Sequence, residues 1–320
     1  MNNYADFFTR EELLVAIQKA PYIPGQIGAM GLFETRGLTS TTLDVEIAPD
    51  NDVAVATAVP RGSPPAPLNL EKRVVYSFKV ATYSKQLPVL ADEVLNMRAF
   101  GTSGAAELIT TRRDEAVAKL RRWADLQLEH LRLSCINSAD NAIGNSPADA
   151  VVAFGTSDSA MRGTIHEKII APMETALGGV PYTGLLGICD DTYWRAFINS
   201  KSVAETYLNW IAAAEMRGLP PEGGFFYGGV TWMRYRGLST TVVESGKCKV
   251  VPMGVPGLFV QAFAPDDTIS SVGQGAMGGP YYLNAWDLDD DKGWRLSCQT
   301  HPVMVCTRPE AVLTVDLSQP

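Results

Sequence analysis

Pro60-Arg-Gly-Ser-Pro-Pro-Ala-Pro67 interrupts two strand-like runs, and its reading decides the fold. A proline lacks the N–H that a sheet ladder needs, so this tract cannot pair as a sheet interior and must be a turn or tip. Before it, Thr39, Thr41, Thr42, Val45 and Ile47 suggest one strand. Val53, Val55 and Val59 then alternate with small residues, as a strand with one packed face should. After it, Glu71-Lys-Arg-Val-Val-Tyr-Ser-Phe-Lys-Val-Ala-Thr-Tyr83 returns as a second long strand. Two strands around a proline-rich tip describe a long hairpin over residues 38–85. Such a hairpin is marginal alone and needs a partner surface.

The segments on either side are as distinctive. Upstream, Phe7 to Ala20 reads as a short amphipathic helix, with Thr9 as N-cap, Glu12 completing a capping box, and Leu13, Leu14 and Ile17 as its stripe. Pro21 and Pro24 stop it, and the chain to Gly37 is an extended arm with no core of its own. Downstream, residues 105–136 form the clearest helix. Ile109, Ala116, Val117, Leu120, Ala124, Leu128, Leu131 and Cys135 recur at three or four residues. Arg112, Arg113, Arg121, Arg122, Asp125, Glu129 and Arg132 decorate the rest. About 30 residues at 1.5 Å rise make a rod of roughly 45 Å, long for a globular helix and suited to a scaffold element.

The second half mixes short strands and helices: a strand at 150–157, a helix over 164–177 limited by Pro172, and a strand at Leu185–Cys189. Asp190 and Asp191 then cap a helix at Thr192–Asn199, and a further helix spans Val203–Arg217. Strands follow at Phe225–Tyr235, Lys249–Met253, Leu258–Phe263, Trp294–Thr300, Val303–Thr307 and Val312–Leu317. The fold class is α+β.

Composition bounds the function. The chain has 320 residues, 46% apolar and 19% charged, with a net charge of −8. That excludes bulk disorder, and the acidic balance argues against a protein that grips nucleic acid. A compact monomer of this mass would expose roughly 13,000 Å². No window of 18 apolar residues suggests a membrane span, and the N-terminus does not read as a signal peptide. Five scattered cysteines without a CxxC pair indicate neither a disulfide framework nor a zinc site.

No chemical motif survives inspection. Gly273-Gln-Gly-Ala-Met-Gly278 satisfies GxGxxG but is followed by Gly279, Pro280 and two tyrosines instead of a helix, so it reads as a surface loop. Asp287-Leu-Asp-Asp-Asp-Lys-Gly293 has Lys292 and Cys298 where a calcium loop needs Gly and Glu, and reads as a solvated acidic turn; a metal at Asp287–Asp291 is left open. The histidines His130, His166 and His301 show no ligand spacing. No GxSxG elbow or P-loop is present. The aromatic cluster at Phe225, Phe226, Tyr227, Trp232 and Tyr235 reads as core and interface. No catalytic residue, cofactor site or metal site is expected.

The order of arm, proline-tipped hairpin, long helix and mixed domain resembles the tailed-phage major capsid proteins, specifically the lambda-like major capsid protein E family. Gly31-Leu-Phe-Glu-Thr-Arg-Gly-Leu-Thr-Ser-Thr-Thr-Leu-Asp-Val-Glu46 resembles the family's start, and 51–79 with Arg61-Gly-Ser63 at its tip resembles its extended loop. Leu185-Leu-Gly-Ile-Cys-Asp-Asp-Thr-Tyr-Trp-Arg-Ala-Phe197 resembles the beginning of its inner domain, and Gln299–Leu317 its closing strand pair. The resemblance implies the tailed-phage and herpesvirus major capsid fold. It implies an N-arm (1–37), an extended loop (38–85), a peripheral domain (86–160 and 287–320) carrying the spine helix 105–136, and an axial domain (161–286).

The function implied is a structural protein that self-assembles into an icosahedral head shell around double-stranded DNA, in the virion after assembly in the host cytoplasm. Its partners would be itself, in hexamers and pentamers, with a scaffolding protein, a portal and, in some members, a decoration protein. The chain begins almost at the arm, which implies a separate scaffold. Packaged DNA would be touched only loosely and non-specifically, and no membrane is involved. Subunit contacts are expected at Val53, Val55, Val59, Arg61, Val75 and Phe78 of the hairpin, and at Leu32 and Phe33 of the arm. The alternative is a soluble α+β enzyme with an unrecognised active site. A pocket of converging carboxylates or histidines would favour that reading.

Overall fold

The spine of the molecule is one helix, Ala105–Asn137, 33 residues and roughly 50 Å long. The computed structural model describes residues 7–19, 25–47, 73–95, 105–139, 143–144, 147, 149–153, 158–201, 203–204, 206–209, 211, 224–237, 243–269, 277–288 and 292–318. The helix serves two cores. Ile109, Ala116, Val117, Leu120 and Ala124 pack into one, and Leu133 and Ile136 enter the other. Leu131 and Cys135, expected on the apolar stripe, are only half-buried. The stripe drifts round the helix because 3.6 residues per turn do not hold one face over nine turns.

The first core joins the N-terminal helix Arg10–Lys19 to a three-stranded antiparallel sheet. That sheet is ordered β11 (Tyr282–Asp287), β12 (Gly293–Thr300), β4 (Tyr83–Leu90). Leu13, Ala16 and Ile17 face it, whereas Leu14 is turned to solvent. Thr9 Oγ1 accepts from the Glu12 N–H at 3.4 Å, as the capping motif anticipates.

The second core lies on a six-stranded mixed sheet. Its order is β5 (Ala150–Ala153), β14 (Leu313–Ser318), β9 (Lys247–Met253), β6 (Gly184–Cys189), β8 (Val230–Arg234), β7 (Phe225–Tyr227). β7 and β8 turn through Gly228-Gly229, both at positive φ (63° and 87°), the conformation a two-residue hairpin demands. Helix Asp191–Ile198 lays Tyr193 and Phe197 against Trp232, and Asp190 caps it by accepting from the Thr192 N–H at 3.0 Å. The expected helix over 164–177 begins earlier, at Asp158, and runs to Leu177. Its turn His166–Ile170 is π-helical, just ahead of Pro172, which has no N–H to continue an α ladder. Of the expected helix at 203–217, residues 206–209 are described and helical.

A third sheet ties the pieces together: β1 (Phe33–Gly37) runs parallel to β10 (Phe259–Phe263), which pairs antiparallel with β13 (Pro302–Cys306). Gly278 passes so close to β10 that a Cβ there would lie 1.9 Å from the Phe263 carbonyl oxygen. The stretch expected as one strand to Tyr83 divides in two. β3 (Val74–Lys79) pairs with β2 (Thr42–Ile47), and β4 leaves to join β12. β5 sits beside β14, and β1 beside β10, so the chain crosses between its halves.

Candidate assembly surfaces

The β2–β3 hairpin is only partly covered by the rest of the described residues. Period-2 alternation and the register Leu43↔Phe78, Val45↔Tyr76, Ile47↔Val74 put six apolar side chains on one face. At the base, Leu43 is 4% exposed and meets Val260, Ala262 and Val305. Moving outward, Val45 and Ile47 are half-buried, and Val74 is 41% exposed. The apolar face therefore runs past the surface that covers it.

Val75 and Phe78, expected together at a contact, lie on opposite faces, since three residues along a strand reverses the side-chain direction. Phe78 packs on the subunit's own small cluster, and Val75 is 55% exposed on the polar face beside Asp44 and Ser77. Val53, Val55, Val59 and Arg61 lie outside the described residues.

The two arm residues lie against the chain's own core. Phe33 is buried against Phe259, ring centroids 5.1 Å apart, and Leu32 packs half-buried on the same core. Both side chains therefore anchor the arm to its own subunit. The reason is β1: once it pairs with β10, alternate side chains must enter the core beneath.

Three charged residues of the spine helix, buried or half-buried, hold the arm by its backbone. Arg113 Nη1 donates to the Phe7 carbonyl at 2.6 Å, and Arg121 Nη1 donates to the Ile17 carbonyl. Glu129 accepts the Ile27 N–H at 2.7 Å and the Gly28 N–H at 3.0 Å. Arg121 thus meets the carbonyl end of helix Arg10–Lys19, and Glu129 meets the N–H end of the short helix Gln26–Met30. Each charge matches the partial charge of the helix end it touches. Arg132 extends the grip through Gln261 (3.0 Å) to Thr35 of β1 (2.5 Å). The sequence places these charges on a solvated face; no local pattern shows that an arm will cover them.

Chemistry-bearing groups gather in one further place. Asp266, Asp267 and His301 bring three potential ligand atoms within 4.8 Å of one another. Arg10 Nη2 already lies 2.8 Å from Asp266 Oδ2, so a cation from the arm helix occupies the cluster, and Thr82 engages His301 Nδ1 at 3.0 Å. Burial holds the His301 imidazole below its usual range, against the opposing pull of Asp267 and Asp266. A shallow cleft of about 280 Å³ beside the hairpin base is lined by Lys79, Tyr83, Leu131 and Cys135 among others. Burial pushes the Cys135 thiol far above its usual range. Asp287 borders another open cleft of about 330 Å³, while Asp289, Asp290 and Asp291 lie outside the described residues. No helix is long and apolar enough to cross a membrane among the described residues.

A family model for the phage major capsid protein E matches residues 9–317. The major capsid protein of Salmonella phage Felix O1 (isolate Felix O1-VT1) is 22% identical over 359 aligned residues, covering 98% of this chain and 97% of that one. The mature capsid of bacteriophage PhiM1 superposes with a TM-score of 0.54 at 11% identity, over 94% of this chain and 89% of that chain. A prophage protein of Escherichia coli CFT073 reaches 0.58 at 14% identity, over 97% and 99%. These likenesses give the fold, the tailed-phage and herpesvirus major capsid fold, and the family match gives the role. The chain belongs to the phage major capsid protein E family, and is a structural subunit of the phage head shell, not an enzyme.

Proposed function

We propose that the uncovered end of the β2–β3 face is completed by a neighbouring copy of the chain, so that the hairpin is the strap joining subunits into capsomers. The observation that carries this reading is the outward gradient along one apolar face, from Leu43 at 4% exposure to Val74 at 41%. An apolar face that leaves its own support is stabilised only by a partner.

In this reading residues 38–85 are the extended loop and 1–37 the arm. Residues 86–160 and 287–320 form the peripheral domain, and 161–286 the axial domain around the capsomer centre. β5 and β14 extend the axial sheet at one edge. Val53, Val55, Val59, Arg61 and Val75 contact the neighbour, while Phe78 steadies the hairpin root. Subunits form hexamers and pentamers in the host cytoplasm on a scaffolding protein around a portal, and a decoration protein binds the finished shell in some particles. The net charge of −8 supports only loose, non-specific contact with packaged DNA.

The test is assembly with and without the tip. Purified full-length chain, with its scaffold, is expected to give shells by negative-stain electron microscopy. Deleting Pro60–Pro67 is expected to abolish them while leaving circular dichroism and the unfolding midpoint unchanged. Intact shells from the deletion variant would refute the strap assignment.

A further inference from the structure

Cys189 ends β6 and Cys248 is the second residue of β9, and their Sγ atoms lie 3.2 Å apart in the interior of the six-stranded sheet. Both residues are 0% exposed. They are direct cross-strand partners in the β6–β9 register. The next pair outward, Asp190 and Lys247, is joined by a backbone N–H···O bond of 3.1 Å. In an antiparallel ladder hydrogen-bonded pairs alternate with non-hydrogen-bonded ones, which places Cys189 and Cys248 at a non-hydrogen-bonded site. Backbones there approach to about 4.5 Å between Cα atoms, inside the range a disulfide spans. Sequence spacing hides this: the two cysteines are separated by the 58 residues Asp190–Lys247 and share no motif.

We propose that Cys189 and Cys248 form an intrasubunit disulfide in the particle after it leaves the reducing interior of the host. The pair would close Asp190–Lys247, which carries helix Asp191–Ile198 and the β7–β8 hairpin, into a covalent loop. This constrains the unfolded chain and so locks the sheet of the finished shell. Thiols stay reduced in a cytoplasm, and disulfides persist on virions. The proposal rests on the shell reading only for that change of setting.

The oxidant is hydrogen peroxide, small enough to reach the pair when the end of the sheet opens. Peroxide oxidises one thiol to a sulfenic acid and releases one water. The second thiol then displaces the hydroxyl: the S–S bond forms, the S–O bond breaks, and the hydroxyl leaves with the remaining thiol proton as a second water. Two electrons pass from the sulfurs into the O–O bond. Burial first, and the hydrogen bond with Cys189 second, push the Cys248 thiol well up.

The experiment titrates reduced full-length protein with hydrogen peroxide under denaturant-free conditions, then quenches, denatures, alkylates and maps peptides by mass spectrometry without reduction. The expected result is one cross-linked peptide joining Cys189 to Cys248 and a chain lighter by about 2 Da, the two hydrogens lost. Cys135, Cys298 and Cys306 would be alkylated, and the unfolding midpoint would be higher than in the reduced protein. Cys248→Ala and, separately, Cys189→Ala should each lose the cross-link and the rise in midpoint. Sulfinic acid at either cysteine without a cross-link would overturn the proposal. So would five alkylated thiols after full peroxide treatment, or a cross-link between another pair. Electron microscopy of the same sample reports assembly independently: a cross-linked chain that forms no particles counts against the shell reading, not against the sulfur pair.

Discussion

Replacing Glu129 by Ala should free the arm from the spine helix at one defined place. The Glu129 carboxylate is 4% exposed and accepts two backbone N–H groups, from Ile27 at 2.7 Å and Gly28 at 3.0 Å. Ile27 is itself fully buried, so its orphaned N–H cannot turn to water. A hydrogen bond to a charged acceptor contributes about 1.5–3 kcal/mol, so losing two costs about 4 kcal/mol. At 1.4 kcal/mol per tenfold change, amide exchange across residues 25–37 should quicken by between two and three powers of ten. Exchange in the six-stranded sheet should barely change. Gly25 supplies the control. A Cβ there would lie 2.0 Å from Glu129 Cδ, so Gly25→Ala forces the carboxylate off its partners and should cost about 3 kcal/mol. With Ala at 129 that obstacle is gone, and the double variant should be less damaged than the sum of the two by about 2 kcal/mol. Hydrogen exchange by mass spectrometry measures all three variants. Additive effects, or faster exchange spread evenly over the chain, would refute the latch.

Two other outcomes test the hairpin and the sheet. Phe78→Asp should lower subunit stability by about 2–3 kcal/mol in a thermal or denaturant melt, because it drives a charge into the cluster around Leu43. Val75→Asp should leave the melt within about 0.5 kcal/mol, yet reduce particle yield on a sucrose gradient. Burial pushes the Asp190 carboxyl up, but N–H groups of Gly246, Thr192 and Asp191 outweigh it and hold the group below its usual range. Its contribution is therefore complete above the usual aspartate value of about 3.9 and fades as pH falls through and below it. The unfolding midpoint of the wild type should drop more steeply below about pH 4 than that of Asp190→Asn.

What could be read from sequence was whatever repeats locally. The capped helix at Arg10–Lys19, the long spine, the Asp190 cap and the strands Lys247–Met253, Phe259–Phe263, Gly293–Thr300, Pro302–Cys306 and Leu313–Ser318 follow from periods of 2 and 3.6 and from short capping side chains, whereas β11 is hidden between a glycine-rich stretch and an acidic run. What was not legible depends on partners far along the chain. Nothing in Phe33-Glu-Thr-Arg-Gly37 tells that Phe259 lies 226 residues away as its parallel neighbour, so the segment looked like a free arm. The change of partner between β3 and β4 is equally silent, because both halves read as strand. Val75 and Phe78 were grouped by hydrophobicity where parity along the strand separates them.

The spine helix shows how one element can satisfy two demands that conflict in a plain amphipathic rod. Its apolar residues serve two cores, and the arm's Leu13, Ile17, Ile27 and Phe33 enter those same cores. Arg113, Arg121 and Glu129, spaced eight residues and so about 12 Å apart, hold the arm's main chain in addition. They do so at Phe7, Ile17 and Ile27, so the arm runs alongside the helix in the same direction. Every one of these contacts is made to main-chain atoms. On the other face of the arm helix from buried Leu13, Ala16 and Ile17, Leu14 at 41% and Val15 at 44% exposure face outward. The arm is thus held twice, by its main chain on buried charges and by one apolar face in the cores, while the opposite face of its helix stays exposed.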